Sequence, residues 1–148
     1  KETHDQVIGE PGRSIVGTSG ILLTKVEYIK EAGEKKFAII DAGMNDLIRP
    51  SLYEAWHKVK EVEERDLESE TYDLAGPVCE TGDILARDRS LKIQPDDYLV
   101  FMDVGAYGSV MSSNYNSRLK PAELLVTKDV VKLIKRKENF EDLIALES

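Results

Sequence analysis

A chain of 148 residues with 41% hydrophobic and 32% charged residues carries enough apolar material for one ordinary domain with its own core. Its net charge of −8 argues against partners bound by neutralising phosphates, because the basic cluster Lys132, Lys135, Arg136 and Lys137 runs straight into Glu138, Glu141 and Asp142. No window approaches the roughly 20 apolar residues that cross a bilayer, and a single cysteine, Cys79, excludes an intrachain disulfide and a zinc cage of several thiolates. The expectation is a domain in a reducing, cytoplasmic setting, with no metal site, no membrane and no nucleic-acid partner. The start, Lys1-Glu2-Thr3-His4-Asp5, has neither a signal-peptide apolar region nor a Met, so the chain reads as beginning inside a longer protein.

In chain order, the first feature is the turn Glu10-Pro11-Gly12-Arg13. Pro-Gly forces a tight turn and lets the Arg13 fork reach a phosphate or carboxylate, although a Pro-Gly turn beside an arginine is also a common surface feature. The segment Ser19–Lys30 has a period near two and is rich in β-branched and aromatic residues, which predicts a strand. The polar link Glu31–Lys36 contains a glycine and joins it to a second apolar run, Phe37–Asp41, as a β-hairpin. The loop Asp41–Tyr53 follows. In it, Arg49 precedes Pro50, which biases it out of the α region, and Tyr53 falls one turn later if Pro50 opens a helix. Arg49 and Tyr53 then converge on one small anion, or else form a salt-bridged arginine and a half-buried core tyrosine.

Further strands are expected at Lys58–Glu63, Thr71–Val78, Tyr98–Asp103, Leu124–Thr127 and Val130–Ile134. The charge-dense stretch Lys58–Glu70 reads as an edge strand and its loop. After the apolar Val78, the loop Cys79-Glu80-Thr81-Gly82-Asp83 puts a lone thiol beside a carboxylate at a mouth. A lone cysteine is otherwise a small buried hydrophobe, and a nucleophilic Cys79 with His57 as base lacks a distinguishable Asn or Asp partner. Gly105-Ala106-Tyr107-Gly108 exposes backbone amides and a phenol, which suits phosphate, or ends a strand as an ordinary turn. Only the tail has helical spacing, at Phe140, Leu143, Ile144 and Glu147, with Asn139 as N-cap. The sum is a mainly β, mostly antiparallel barrel or sandwich with a short C-terminal helix.

The order and wording of these segments resemble the C-terminal half of the fold-type III pyridoxal-phosphate decarboxylases, the diaminopimelate decarboxylases in particular. The resemblance is carried by EPGRSIV at 10–16, DAGMNDLIRPSLY at 41–53, DLAGPVCETGD at 73–83, GAYG at 105–108, YNSR at 115–118 and PAELLV at 121–126. It implies a Greek-key-like β domain over residues 19–148, preceded over residues 1–18 by the last segment of an α/β barrel that is otherwise absent. It also implies a homodimer with active sites at the interface, a small amino-acid substrate and pyridoxal 5'-phosphate held by a barrel lysine outside this chain. By the same resemblance Glu10, Pro11, Gly12 and Arg13 line the cofactor phosphate. Arg13 also touches substrate, and Arg49 and Tyr53 take its distal carboxylate. Cys79 is the proton donor, Glu80 binds the distal amino group and Tyr107 contacts cofactor and substrate. The chain alone is then expected to be inactive. The alternatives are a decarboxylase for carboxynorspermidine, ornithine or arginine, and a non-catalytic β-barrel binding or regulatory module.

Overall fold

The structure, a computed structural model, describes residues 8–147. Eight strands follow one another: β1 (Leu22–Ala32), β2 (Lys35–Ile40), β3 (Val59–Glu61), β4 (Glu70–Ala75), β5 (Ile84–Leu91), β6 (Tyr98–Phe101), β7 (Glu123–Thr127) and β8 (Val130–Lys135). Three short helices punctuate them, α1 (Arg13–Val16), α2 (Arg49–Tyr53) and α3 (Phe140–Leu143). The first six strands form one sheet in the order β3-β6-β1-β2-β4-β5, and β7 and β8 pair by themselves. The Glu61 carboxylate on edge strand β3 accepts from the backbone N–H of Lys92, just beyond edge strand β5, at 2.9 Å. This contact joins the two edges of the bent sheet, which is nearly closed into a barrel, and the expected mainly β domain is found.

Strand β1 owes its first half to alternation, with Thr24 and Val26 buried while Leu23 and Glu27 are exposed, and an irregularity between Val26 and Tyr28 then leaves Tyr28 facing outward. In β6 the same period buries Leu99 and Phe101 and exposes Tyr98. With Ile40, Leu47, Leu74 and Leu85 these residues make the core. The hairpin turn is tighter than the six polar residues suggested. It needs only Gly33 and Glu34, with Gly33 at φ 63°, where a type II′ turn places its glycine.

The sheet is mostly antiparallel as expected, with β2 running parallel to β4 from Lys36↔Tyr72 to Ile39↔Ala75. Two expectations are corrected. The strand expected to reach Val78 stops at Ala75, where the backbone turns through Gly76-Pro77. Helix α3 is a single turn, held by a reciprocal cap in which Asn139 Oδ1 accepts from Asp142 N and Asp142 Oδ2 accepts from Asn139 N. Strand β5 was not anticipated.

Candidate active site

The loop between β2 and α2 is pinned at its start. Thr24 Oγ1 donates to Asp41 Oδ1 at 2.6 Å and accepts from Ala42 N at 3.1 Å. Leu47 sinks into the core, and the chain enters α2 with Arg49 as its first helical residue and Pro50 behind it. The sequence-based bias of Arg49 out of the α region therefore does not hold: Ile48 before it is already αR, and the helix overrides the pre-proline preference. One helical turn brings Arg49 and Tyr53 to the same face, with the guanidinium carbon 5.4 Å from the Tyr53 ring centre.

The second wall comes from the chain following β6. Gly105 lies against the 16–20 segment, donating from its N–H to Gly17 O at 3.0 Å, and a Cβ on it would stand 2.1 Å from Val16 O. The Ala106–Tyr107 peptide is cis. Tyr107 reaches from here to Arg49 and to Gly12. Its ring centre is 5.9 Å from the Arg49 guanidinium, and its hydroxyl would lie 2.7 Å from a Cβ on Gly12. Arg13 donates from Nε to Ala106 O at 3.1 Å and from Nη2 to Asp103 O at 2.9 Å. Gly12, Arg13, Tyr107, Arg49 and Tyr53 thus form one continuous cluster.

Among the described residues no carboxylate forms a salt bridge with Arg13 or Arg49. Tyr53 beside it is 58% exposed. A guanidinium flanked by two phenols, with a second guanidinium held on the neighbouring carbonyls, offers donors to an anion. Glu10 and Pro11 lie exposed immediately before this cluster.

The loop of Cys79 wraps round a buried carboxylate. Asp83 accepts from Val78 N and from Met44 N, each at 2.6 Å, and Gly76 N donates to Asp83 O at 2.9 Å. Burial raises the Asp83 pKa above its ordinary value, opposed by the two backbone donors. Ser51 on α2 donates to Gly82 O at 2.5 Å, which ties this loop to the helix carrying Arg49. Cys79 and Glu80 point outward, both exposed. Glu80 accepts a hydrogen bond from the Tyr115 hydroxyl, which holds the phenol's pKa above its ordinary value.

The pairing of Cys79 with His57 is not found. His57 is buried, with Nδ1 2.9 Å from Met102 O, and the charges acting on it are those of Arg13, Arg49 and Asp103. Sequence reasoning gave no role to Asp83, Tyr115 or Arg118, and considered His57 only as a base for Cys79. Arg118 ties the loops together from below, donating to Asn45 Oδ1 at 2.9 Å and to Asp41 O at 2.7 Å. The available signal was YNSR at 115–118, which contains both Tyr115 and Arg118.

The family described as pyridoxal-dependent decarboxylase, C-terminal sheet domain, matches residues 15–105. A diaminopimelate decarboxylase of Pseudomonas aeruginosa is 53% identical over 142 residues, which cover 96% of this chain and 34% of the relative. The crystal structure of the M. jannaschii diaminopimelate decarboxylase in co-complex with L-lysine superposes with a TM-score of 0.90 at 46% identity, over 94% of this chain and 32% of that one. The Helicobacter pylori enzyme complexed with L-lysine gives 0.86 at 46% identity, over 93% and 34%. The chain spans about a third of the length of the curated relatives it matches. With its bent six-stranded sheet and this coverage, the chain belongs to the C-terminal sheet domains of the pyridoxal-dependent decarboxylases.

Proposed function

We propose that this chain is the C-terminal part of a diaminopimelate decarboxylase, which converts meso-2,6-diaminopimelate to L-lysine and carbon dioxide in the last step of lysine biosynthesis. The observation that carries the reading is Arg49. It is an arginine without a carboxylate partner among the described residues, flanked by the phenols of Tyr53 and Tyr107. A guanidinium gives a carboxylate charge and two parallel bonds, and a phenol adds a directional one. Ornithine and arginine carry no distal carboxylate, so neither explains Arg49.

Residues 1–18 are taken as the end of an α/β barrel and 19–148 as the β domain, in a cytoplasmic homodimer with its sites at the interface. The residues present fit the phosphate end of pyridoxal phosphate. Gly12 leaves room where a side chain would collide with Tyr107, and Arg13 adds an uncompensated positive charge beside it. Glu10, Pro11, Gly12, Arg13 and Tyr107 would hold that end, and the cofactor, when bound, supplies the sink for the electron pair released by decarboxylation.

Arg49 and Tyr53 orient the substrate through its distal carboxylate, with Arg13 and Tyr107 closing on the other end. When the bond from the α-carbon to the carboxylate breaks, carbon dioxide leaves and the electron pair stays with the substrate. The Cys79 thiol then gives its proton to that carbon, and the thiolate is reprotonated from solvent. Cys79 and Glu80 serve the site of the partner subunit, where Glu80 takes the distal ammonium group; their outward position on a loop fixed by Asp83 supports this. The test is carbon dioxide release by the purified full-length protein with pyridoxal phosphate. Turnover of meso-2,6-diaminopimelate is expected, and preference for ornithine or arginine overturns the reading.

A further inference from the structure

We propose that Tyr115 is a positioning residue for Glu80, its phenol donating to one oxygen of the carboxylate and leaving the other for the distal ammonium group of the substrate. The bond is present in the structure, from the Tyr115 hydroxyl to Glu80 Oε1, and among the described residues the phenol is the only side chain hydrogen-bonded to Glu80. The phenols of Tyr53 and Tyr107 lie against Arg49 instead. Both partners are exposed, and what separates this bond from a chance surface contact is that each end is fixed by its backbone. Glu80 N donates to Val78 O at 2.8 Å and Glu80 O accepts from Asp83 N at 3.1 Å, inside the loop that Asp83 ties to Met44 N. The turn carrying Tyr115 is anchored on the next residue, Asn45, whose O accepts from Ser113 N at 2.9 Å and whose Oδ1 accepts from Arg118 Nε at 2.9 Å. Adjacent residues of one loop thus carry the two ends of the bond.

The turn itself is held in a costly shape. Asn116 and Ser117 have φ of 59° and 55°, left-handed conformations that residues with a side chain adopt only when their surroundings impose them. Asn114 imposes them from one side, donating from Nδ2 to Arg118 O at 2.9 Å and to Glu138 Oε2 at 2.6 Å. The chemistry explains why a phenol fits where a lysine or arginine would not. A neutral donor orients the carboxylate without cancelling its negative charge, and that charge is what attracts an ammonium group. The bond to Glu80 in turn holds the phenol above its ordinary pKa, so the hydroxyl keeps its proton for this role at neutral pH.

The effect on substrate rests on the proposed assignment of Glu80 to the distal ammonium group, whereas the bond itself does not. Steady-state kinetics of the full-length enzyme test the effect. Tyr115→Phe should raise the KM for meso-2,6-diaminopimelate by about tenfold, the size of a lost hydrogen bond to a charged group, with kcat nearly unchanged. In Glu80→Ala no carboxylate is left to orient, so adding Tyr115→Phe should raise KM no further. An equal rise in both backgrounds, a loss confined to kcat, or no change overturns the positioning role. Carbon-13 NMR of the full-length protein labelled at tyrosine Cζ tests the bond without substrate, with the Tyr115 signal assigned by its loss in Tyr115→Phe. That signal is expected to move in Glu80→Ala and to stay in place in Thr81→Ala. A signal indifferent to Glu80→Ala, or moved equally by both substitutions, overturns the proposal. Failure of the wild-type protein to turn over diaminopimelate sinks the proposed function instead, and the NMR result still decides the bond.

Discussion

At the scale of single residues, the site is defined by charge that the fold leaves unanswered. Asp73, Asp97 and Asp142 all find cations, through Lys35, Arg65 and Arg136, while Arg13 and Arg49 are offered carbonyls and phenol rings. Cys79, as the proton donor of the proposed function, acts only in the transition state. Cys79→Ala in the full-length enzyme should therefore lower kcat by roughly 10²–10⁴-fold with little change in KM, and steady-state kinetics will separate the two. His57 yields a stability prediction. Its folded pKa lies below the ordinary 6.5, because burial and the neighbouring guanidiniums of Arg13 and Arg49 oppose the charged ring despite Asp103. The unfolded chain then binds the extra proton first, so the contribution is complete above pH 6.5 and is lost as pH falls towards the folded value. Denaturation midpoints should fall below pH 6.5 in the wild type, and this part of the slope should disappear in His57→Phe.

Among the elements, the ones that read clearly from sequence were those whose side chains alternate, β1 and β6, and the capped turn of α3 at Asn139. Strand β5, Ile-Leu-Ala-Arg-Asp-Arg-Ser-Leu, was hidden because Asp88 sits mid-strand with φ 52° and charged residues surround it. What makes it a strand is pairing with β4, where Asp73 Oδ1 accepts from Asp88 N at 2.8 Å. That is a tertiary contact beyond any local pattern. The parallel pairing of β2 with β4 was equally illegible, since register between segments more than 30 residues apart leaves no periodic trace. The four candidate loops were visible from Gly and Pro, but not the joining of three of them at Tyr107, which depends on Gly105 packing against Val16 and Gly20, nor the tie of the Cys79 loop to α2 through Ser51. Gly105→Ala should push these backbones apart and cost about 1–3 kcal/mol, as overpacking does. Gly82→Ala, whose Cβ meets Ser51 at an ordinary 3.7 Å, should cost clearly less. Urea midpoints of the two variants provide the comparison.

For the molecule as a whole, the exposed apolar residues are spread over surfaces that a single sheet domain cannot cover. Val126, Val130, Val131 and Leu133 are all exposed on the β7–β8 pair, which leaves apolar surface open on that pair. This accords with a chain spanning about a third of its relatives, and a sequence read alone disclosed it only through the resemblance of its loops. Circular dichroism of the isolated chain should be dominated by β structure, since α1, α2 and α3 comprise only four, five and four residues. The central claim is that Arg49 meets the distal carboxylate of diaminopimelate, and it is tested most directly by the ratio of kcat/KM for meso-2,6-diaminopimelate over L-lysine in the full-length enzyme and in Arg49→Lys and Arg49→Ala. A site built to bond a carboxylate rejects an analogue without it by roughly 10⁴-fold. The account predicts such a ratio in the wild type and its collapse in both variants, chiefly through weaker use of diaminopimelate. A ratio unchanged by either substitution would contradict it, because Arg49 would then never meet the substrate.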